Sequence, residues 1–196
     1  DSTSVSTSGG MIIQHYDYTL TNSGGDIVYQ GATYFGFFTK QALAHQIGLR
    51  DAKPYQPNSE ETVRGESFAY PQEPPFPETQ LRMVDQIDLY VPDGGPQGLG
   101  FIRGRKIVNP QEWFFQAHFY QDPVWPGSLG LEAFLQLLKV AAVKRWGWQP
   151  QNRFETMALH HPHEWTYRGQ VIPTDRHVII QAEITAVDDA QRILEA

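Results

Sequence analysis

The stretch Leu129-Gly-Leu-Glu-Ala-Phe-Leu-Gln-Leu-Leu-Lys-Val-Ala-Ala-Val-Lys-Arg145 decides the fold. It reads as one long helix in which Leu129, Leu131, Phe134, Leu135, Leu137, Leu138, Val140, Ala141 and Val143 leave almost no polar face. A helix apolar nearly all round must be covered on most sides rather than laid on a surface. A strongly curved antiparallel sheet wrapped round a single helix meets that requirement and predicts an α+β fold. Glu132, Gln136, Lys139, Lys144 and Arg145 interrupt the segment and make it too polar to span a bilayer.

Working outward from the helix, Met83–Tyr90 and Gly98–Val108 are strand-like and flank a Pro92-Asp-Gly-Gly95 turn. After the helix, Phe154–Leu159, Glu164–Ile172 and His177–Ala186 alternate as three further strands, and Asp188-Asp-Ala-Gln-Arg192 is turn-like. Near the N-terminus, Ile12–Leu20 and Ile27–Phe35 flank Thr21-Asn-Ser-Gly-Gly-Asp26, a hairpin signature. A short helix follows over Thr39–Leu49, with Thr39 as N-cap and Gly48 as stop. From about Asp51 to Gln80 periodicity vanishes and six prolines appear, which predicts an extended strap. The head, Asp1-Ser-Thr-Ser-Val-Ser-Thr-Ser-Gly-Gly10, reads as a linker.

The composition narrows the function classes. The 196 residues include 25 aromatics and no Cys, which supplies a core but excludes disulfides, Cys-ligated metals and a thiol nucleophile. A net charge of −7 and a pI near 5.4, with no basic run, argue against nucleic-acid binding. No apolar run fits a membrane span or a signal peptide, so a cytoplasmic location is expected. The polar, Met-less start and the stop at Ala196 suggest a piece of a longer polypeptide.

The chemistry gathers just before the long helix. His118 precedes a Pro- and Gly-rich turn that feeds into it, and Gly127 lies where the helix's first unpaired N–H groups emerge. A carbonyl oxygen gathering negative charge is stabilised at such a helix start. Glu132 follows on the first turns, with Gln136 at i+4 on the same face. A carboxyl on an otherwise apolar helix can keep its proton and give it to a leaving oxygen. Base, oxyanion donor and acid are the parts needed to remove a proton next to a thioester and expel a β-hydroxyl.

The stretch His118-Phe-Tyr-Gln-Asp-Pro-Val-Trp-Pro-Gly-Ser-Leu-Gly-Leu-Glu-Ala133 resembles the active-site motif of hotdog-fold 3-hydroxyacyl-ACP dehydratases of the 3-hydroxydecanoyl type. Tyr167-Arg-Gly-Gln-Val-Ile-Pro173 resembles that family's strand after the helix, and Leu81-Arg-Met-Val-Asp-Gln-Ile87 with Gly94-Gly95 its N-terminal part. The resemblance implies His118 as base at C2, the Gly127 N–H on the thioester carbonyl and Glu132 as acid for the 3-hydroxyl. It implies Gln136 and Ser128 as orienting or substrate-binding residues, and no cofactor or metal. It also implies acyl carrier protein as partner, and a second hotdog, as homodimer or tandem domain, sharing the active site. Glu132 stands where 3-hydroxydecanoyl enzymes usually carry Asp, which leaves an added trans-2/cis-3 isomerisation open. Ser128 replaces a common Cys beside the oxyanion Gly, of no consequence where only the backbone acts.

Val28–Phe38 followed by Gln41–Leu49 resembles the closing strands of a preceding hotdog, as in the tandem dehydratase regions of polyunsaturated fatty acid or polyketide synthases. The expected organisation is therefore a remnant over 1–50, a strap over 51–80 and a dehydratase hotdog over 81–196 whose last strand lies beyond Ala196. The 1–50 hairpin is expected to cover an open edge of that hotdog, in cis or in a dimer. His160-His-Pro-His163 reads as a solvated turn rather than a metal site, and His15, His45 and His177 as structural or surface residues. Trp125, Tyr120 and Phe119 are candidates either for an acyl tunnel or for the core. A hotdog thioesterase and a non-catalytic acyl-ACP-binding scaffold are the competing functions.

Overall fold

A computed structural model of the protein describes residues 1–44, 48–155 and 160–196. The chain divides into two compact units, Asp1–Arg50 and Asp51–Ala196.

The first unit is an antiparallel sheet of β1 (Ser2–Ser8), β2 (Met11–Thr21) and β3 (Ile27–Phe38), followed by the short helix α1 (Lys40–Leu43). The expected hairpin forms: Asn22 Oδ1 accepts from the Gly24 and Asp26 N–H groups at 2.9 and 3.0 Å. The Ser/Thr head is a strand rather than a linker. Gly9 and Gly10 both take positive φ (56° and 79°), the backbone of a two-residue hairpin turn, so Ser8 pairs with Met11. Thr39 caps α1 as expected, its hydroxyl accepting from Ala42 N–H at 3.2 Å. Positions 45–47 of the predicted helix, His45 included, lie outside the described residues.

The second unit opens with α2 (Ser59–Arg64) and β4 (Glu66–Ala69), so the stretch expected to be a strap is ordered. Asn58 and Glu61 form a reciprocal capping box. The buried Glu61 carboxylate also accepts from Tyr55 Oη at 2.8 Å and Gly95 N–H at 2.9 Å. These hydrogen bonds, that from Asn58 N–H first, hold the Glu61 carboxyl below the usual carboxylate range.

β4 pairs with β5 (Gln86–Val91), β5 with β6 (Phe101–Ile107) and β6 with β7 (His177–Glu183), all antiparallel. Between β6 and β7 come α3 (Trp113–Ala117) and the 20-residue α4 (Gly127–Trp146). A small hairpin, β8 (Ala186–Asp188) and β9 (Ile193–Glu195), closes the chain around the turn that the Asp188–Arg192 residues predict. α4 buries Ala133, Gln136, Leu137, Val140 and Ala141, the spacing of one helix face, in the core that includes Ile87, Ile102 and Ala182. Its other apolar residues, Leu131, Phe134, Leu135, Leu138 and Val143 among them, are half-buried, which accounts for the lack of a polar face.

The expected strand Glu164–Ile172 is irregular. Alternation supplies the side chains of a strand, but a strand exists only through its ladder, and here Trp125 N–H to Val171 O at 2.8 Å ties the segment to the turn before α4. Positions 156–159 of the expected strand Phe154–Leu159 lie outside the described residues, and Phe154 stacks on Trp148 at 5.3 Å. Among the described residues, no helix is long and apolar enough to cross a membrane.

Candidate active site

The site is assembled by the turn between α3 and α4. His118 ends α3 and its N–H still bonds to Phe114 O at 2.9 Å. Phe119 and Asp122 exchange backbone hydrogen bonds, which folds the chain back so that Val124 N–H reaches His118 O at 2.8 Å. The His118–Phe119 peptide is cis. Trp125 then plugs the core, 4.8 Å from Phe114 and 6.5 Å from Phe115 between ring centroids. Of the three candidate tunnel aromatics, Trp125 is therefore a core residue, whereas Phe119 and Tyr120 are exposed.

The His118 ring is held by the same turn. Its Nδ1 lies 3.1 Å from Val124 O. A carbonyl can only accept, so in the neutral ring Nδ1 carries the proton and Nε2 keeps its lone pair, the form of imidazole that can act as a base. Two residues beyond Val124, Pro126 caps α4 without a side-chain hydrogen bond. The Gly127 N–H, at the first position of the helix, has no intrahelical acceptor, whereas the Leu129 N–H already bonds to Pro126 O at 3.0 Å. A Cβ on Gly127 would come within 3.1–3.3 Å of three ring atoms of Tyr167, so glycine lets that ring lie against the helix start. Ser128 is exposed beside it.

Glu132 is half-buried rather than enclosed, its side chain 30% exposed and its Oε1 3.8 Å from Lys139 Nζ. Gln136 is completely buried and fully engaged. Its Nε2 donates to Glu132 Oε1 at 2.8 Å and to Leu81 O at 2.7 Å, and its Oε1 accepts from Met83 N–H at 2.9 Å. Gln136 thus clamps the carboxyl to the segment before β5. The structure brings together Glu132 with Gln136, and His118 with the helix start. Among the described residues no hydrogen bond joins these two groups.

Two groups beside Glu132 carry no signal in the sequence. Tyr70 is 2% exposed in the stretch expected to be a strap, and burial followed by the Glu132 carboxylate pushes its phenol well above the ordinary tyrosine range. Among the described residues, Arg82 Nε is buried without a protein partner, as is Tyr70 Oη. Tyr70 stands in no motif, and Arg82 lies in the Leu81–Ile87 stretch with no role assigned to it there, so only their packing against distant segments singles them out. A cavity of about 590 Å³ runs along the α4 face that includes Leu135, Leu138 and Ala142, and its walls hold none of His118, Gly127 or Glu132. Among the described residues, no three His, Asp or Glu side chains converge as a metal site. His161 Nδ1 lies 3.7 Å from Glu195 Oε1, with both side chains exposed.

A helix start fed by a His-bearing turn and followed by a clamped carboxyl thus lies within the stretch His118–Ala133 that resembles the dehydratase motif. A model of the FabA-like domain matches residues 76–195. The chain belongs to the FabA-like family of hotdog dehydratase domains. The FabA-like match takes in every candidate site residue from His118 to Gln136. The chain is also 31% identical to a polyunsaturated fatty acid synthase polypeptide of Thraustochytrium sp. (strain ATCC 26185 / S-3), an alignment that covers 95% of this chain and 14% of that protein. The chain therefore spans about a seventh of the length of that relative.

Proposed function

We propose that this FabA-like unit dehydrates a 3-hydroxyacyl chain carried by acyl carrier protein to the trans-2-enoyl thioester, within the assembly of a fatty acid or polyunsaturated fatty acid. The observation that carries the reading is the His118 Nδ1 contact with Val124 O, which leaves Nε2 as the base on the turn that leads into the start of α4. Nε2 takes a proton from C2 of the thioester. The Gly127 N–H, at the positive end of the 20-residue helix, holds the carbonyl oxygen as it gathers charge. Glu132, clamped by Gln136, gives a proton to the 3-hydroxyl oxygen, the C3–O bond breaks and water leaves. His118 and Glu132 belong to separate hydrogen-bonded groups, which suits a site completed by a second hotdog that supplies the other half. The name of the 31% identical relative supports the biosynthetic setting.

The test is turnover of 3-hydroxyacyl-acyl carrier protein, or of its N-acetylcysteamine mimic. Wild-type protein is expected to interconvert hydroxyacyl and 2-enoyl forms, with loss of about 10²-fold or more in His118→Ala and in Glu132→Ala. Release of free thiol in place of the enoyl product means a thioesterase. Retained binding of acyl carrier protein without turnover means a scaffold.

A further inference from the structure

Tyr70 lies just after β4 and is tied into the sheet by its N–H, which donates to Asp85 O at 3.0 Å. Its ring is in the core, edge-on to Phe76 at 5.4 Å. Its hydroxyl is buried, yet among the described residues no protein atom bonds to it. A buried hydroxyl without a partner is destabilising, and such groups ordinarily find one in protein or ordered water. Among the described residues, Arg82 Nε is a second buried donor without a partner. Leu81 and Met83, which flank Arg82, hold Gln136, and Gln136 holds Glu132 Oε1. Burial first, and then the Glu132 carboxylate, raise the Tyr70 phenol above the ordinary tyrosine range while Arg82 acts against them, so the hydroxyl keeps its proton to donate. Two donors without acceptors thus accompany a carboxyl of which Gln136 takes up one oxygen.

We propose that Tyr70 is a positioning residue for the dehydration: its hydroxyl, with Arg82 Nε–H, donates to one water that in turn donates to Glu132 Oε2. The inference rests on the dehydratase reading above. Glu132 loses its proton to the departing 3-hydroxyl and becomes a carboxylate as C3–O breaks. The water relay stabilises that new charge more than the neutral acid before it, and so acts on the transition state rather than on substrate binding. The proton taken by His118 passes to solvent and Glu132 regains one from solvent, which closes the cycle.

The experiment compares wild type with Tyr70→Phe in the full chain, which removes one oxygen and keeps the ring. Expected are a kcat lower by about tenfold, the effect of losing one water-mediated donor to a charged group, a KM within about twofold of wild type, and a Tm unchanged or higher. A merely structural hydroxyl would lower Tm and leave kcat alone. Turnover by Tyr70→Phe equal to wild type overturns the role of Tyr70 and leaves the dehydratase reading standing. No turnover by wild type overturns that reading, and this one with it. A crystal structure of the wild-type protein gives a second test that does not depend on the variant. It is expected to show an ordered water within hydrogen-bond reach of Tyr70 Oη and Glu132 Oε2, and a Tyr70 hydroxyl bonded instead to a main-chain carbonyl overturns the proposal.

Discussion

Replacing Gln136 with Met keeps an unbranched side chain of similar length on α4 and deletes all three of its hydrogen bonds. The Met83 N–H that it satisfies is buried, and stranding a buried donor costs about 1–3 kcal/mol. Leu81 O and Glu132 Oε1 are only partly buried and can turn to water, so each lost bond costs about 0.5–1.5 kcal/mol. Together these make about 2–6 kcal/mol, a large share of the stability of a unit this size. All five tryptophans, from Trp113 to Trp165, lie in the 51–196 unit, so tryptophan fluorescence in a urea titration reports that unit alone. With a slope of about 2 kcal/mol/M the midpoint is expected to fall by about 1–3 M. kcat should fall as well, because Glu132 loses the group that orients it. A midpoint within about 0.5 M of wild type would refute the view that Gln136 fastens α4 to the segment before β5.

Gly104→Ala places a Cβ 2.9 Å from Leu137 Cδ2, Val84 Cγ1 and Gln86 O, where α4 meets β6, and is expected to lower stability by about 1–3 kcal/mol in the same titration. The Asp189 carboxyl is held down at about 2, from an ordinary 3.8, by the Arg145 fork and then by Trp146 Nε1–H. A depressed carboxyl stabilises the fold above its unfolded-state value and ceases to do so as pH falls through the folded one. The gap in urea midpoint between wild type and Asp189→Asn should therefore hold steady down to about pH 4 and shrink toward pH 2, and a gap independent of pH would count against the ion pair.

The reach of the sequence is clearest where structure is local. The near-continuous apolar surface of Leu129–Val143 announces α4, and the Asn22–Asp26 turn carries its own hydrogen-bonding side chains. The His118–Ala133 motif likewise names the candidate site residues, because its turn and helix start are contiguous in the chain. Glu164–Ile172 shows the limit: its alternation is that of a strand, but the chain segment available to it is the Trp125 backbone rather than a strand edge. The stretch 51–80 shows the converse. Its prolines hide α2 and β4, which exist because Glu61 finds Tyr55 and Gly95 and because Glu66–Ala69 finds β5.

The sequence by itself determined the helix, the turns at its start and the residue types available for proton transfer, since periodicity, capping and side-chain chemistry are properties of neighbouring residues. Only the tertiary structure decided which nitrogen of His118 is free, that Gln136 grips Glu132 against Leu81 and Met83, and that Tyr70 and Arg82 reach the same corner with unused donors. The His118 contact spans six residues and needs the turn to fold back, whereas the Gln136 contacts join segments about 50 residues apart, whose meeting no local pattern encodes.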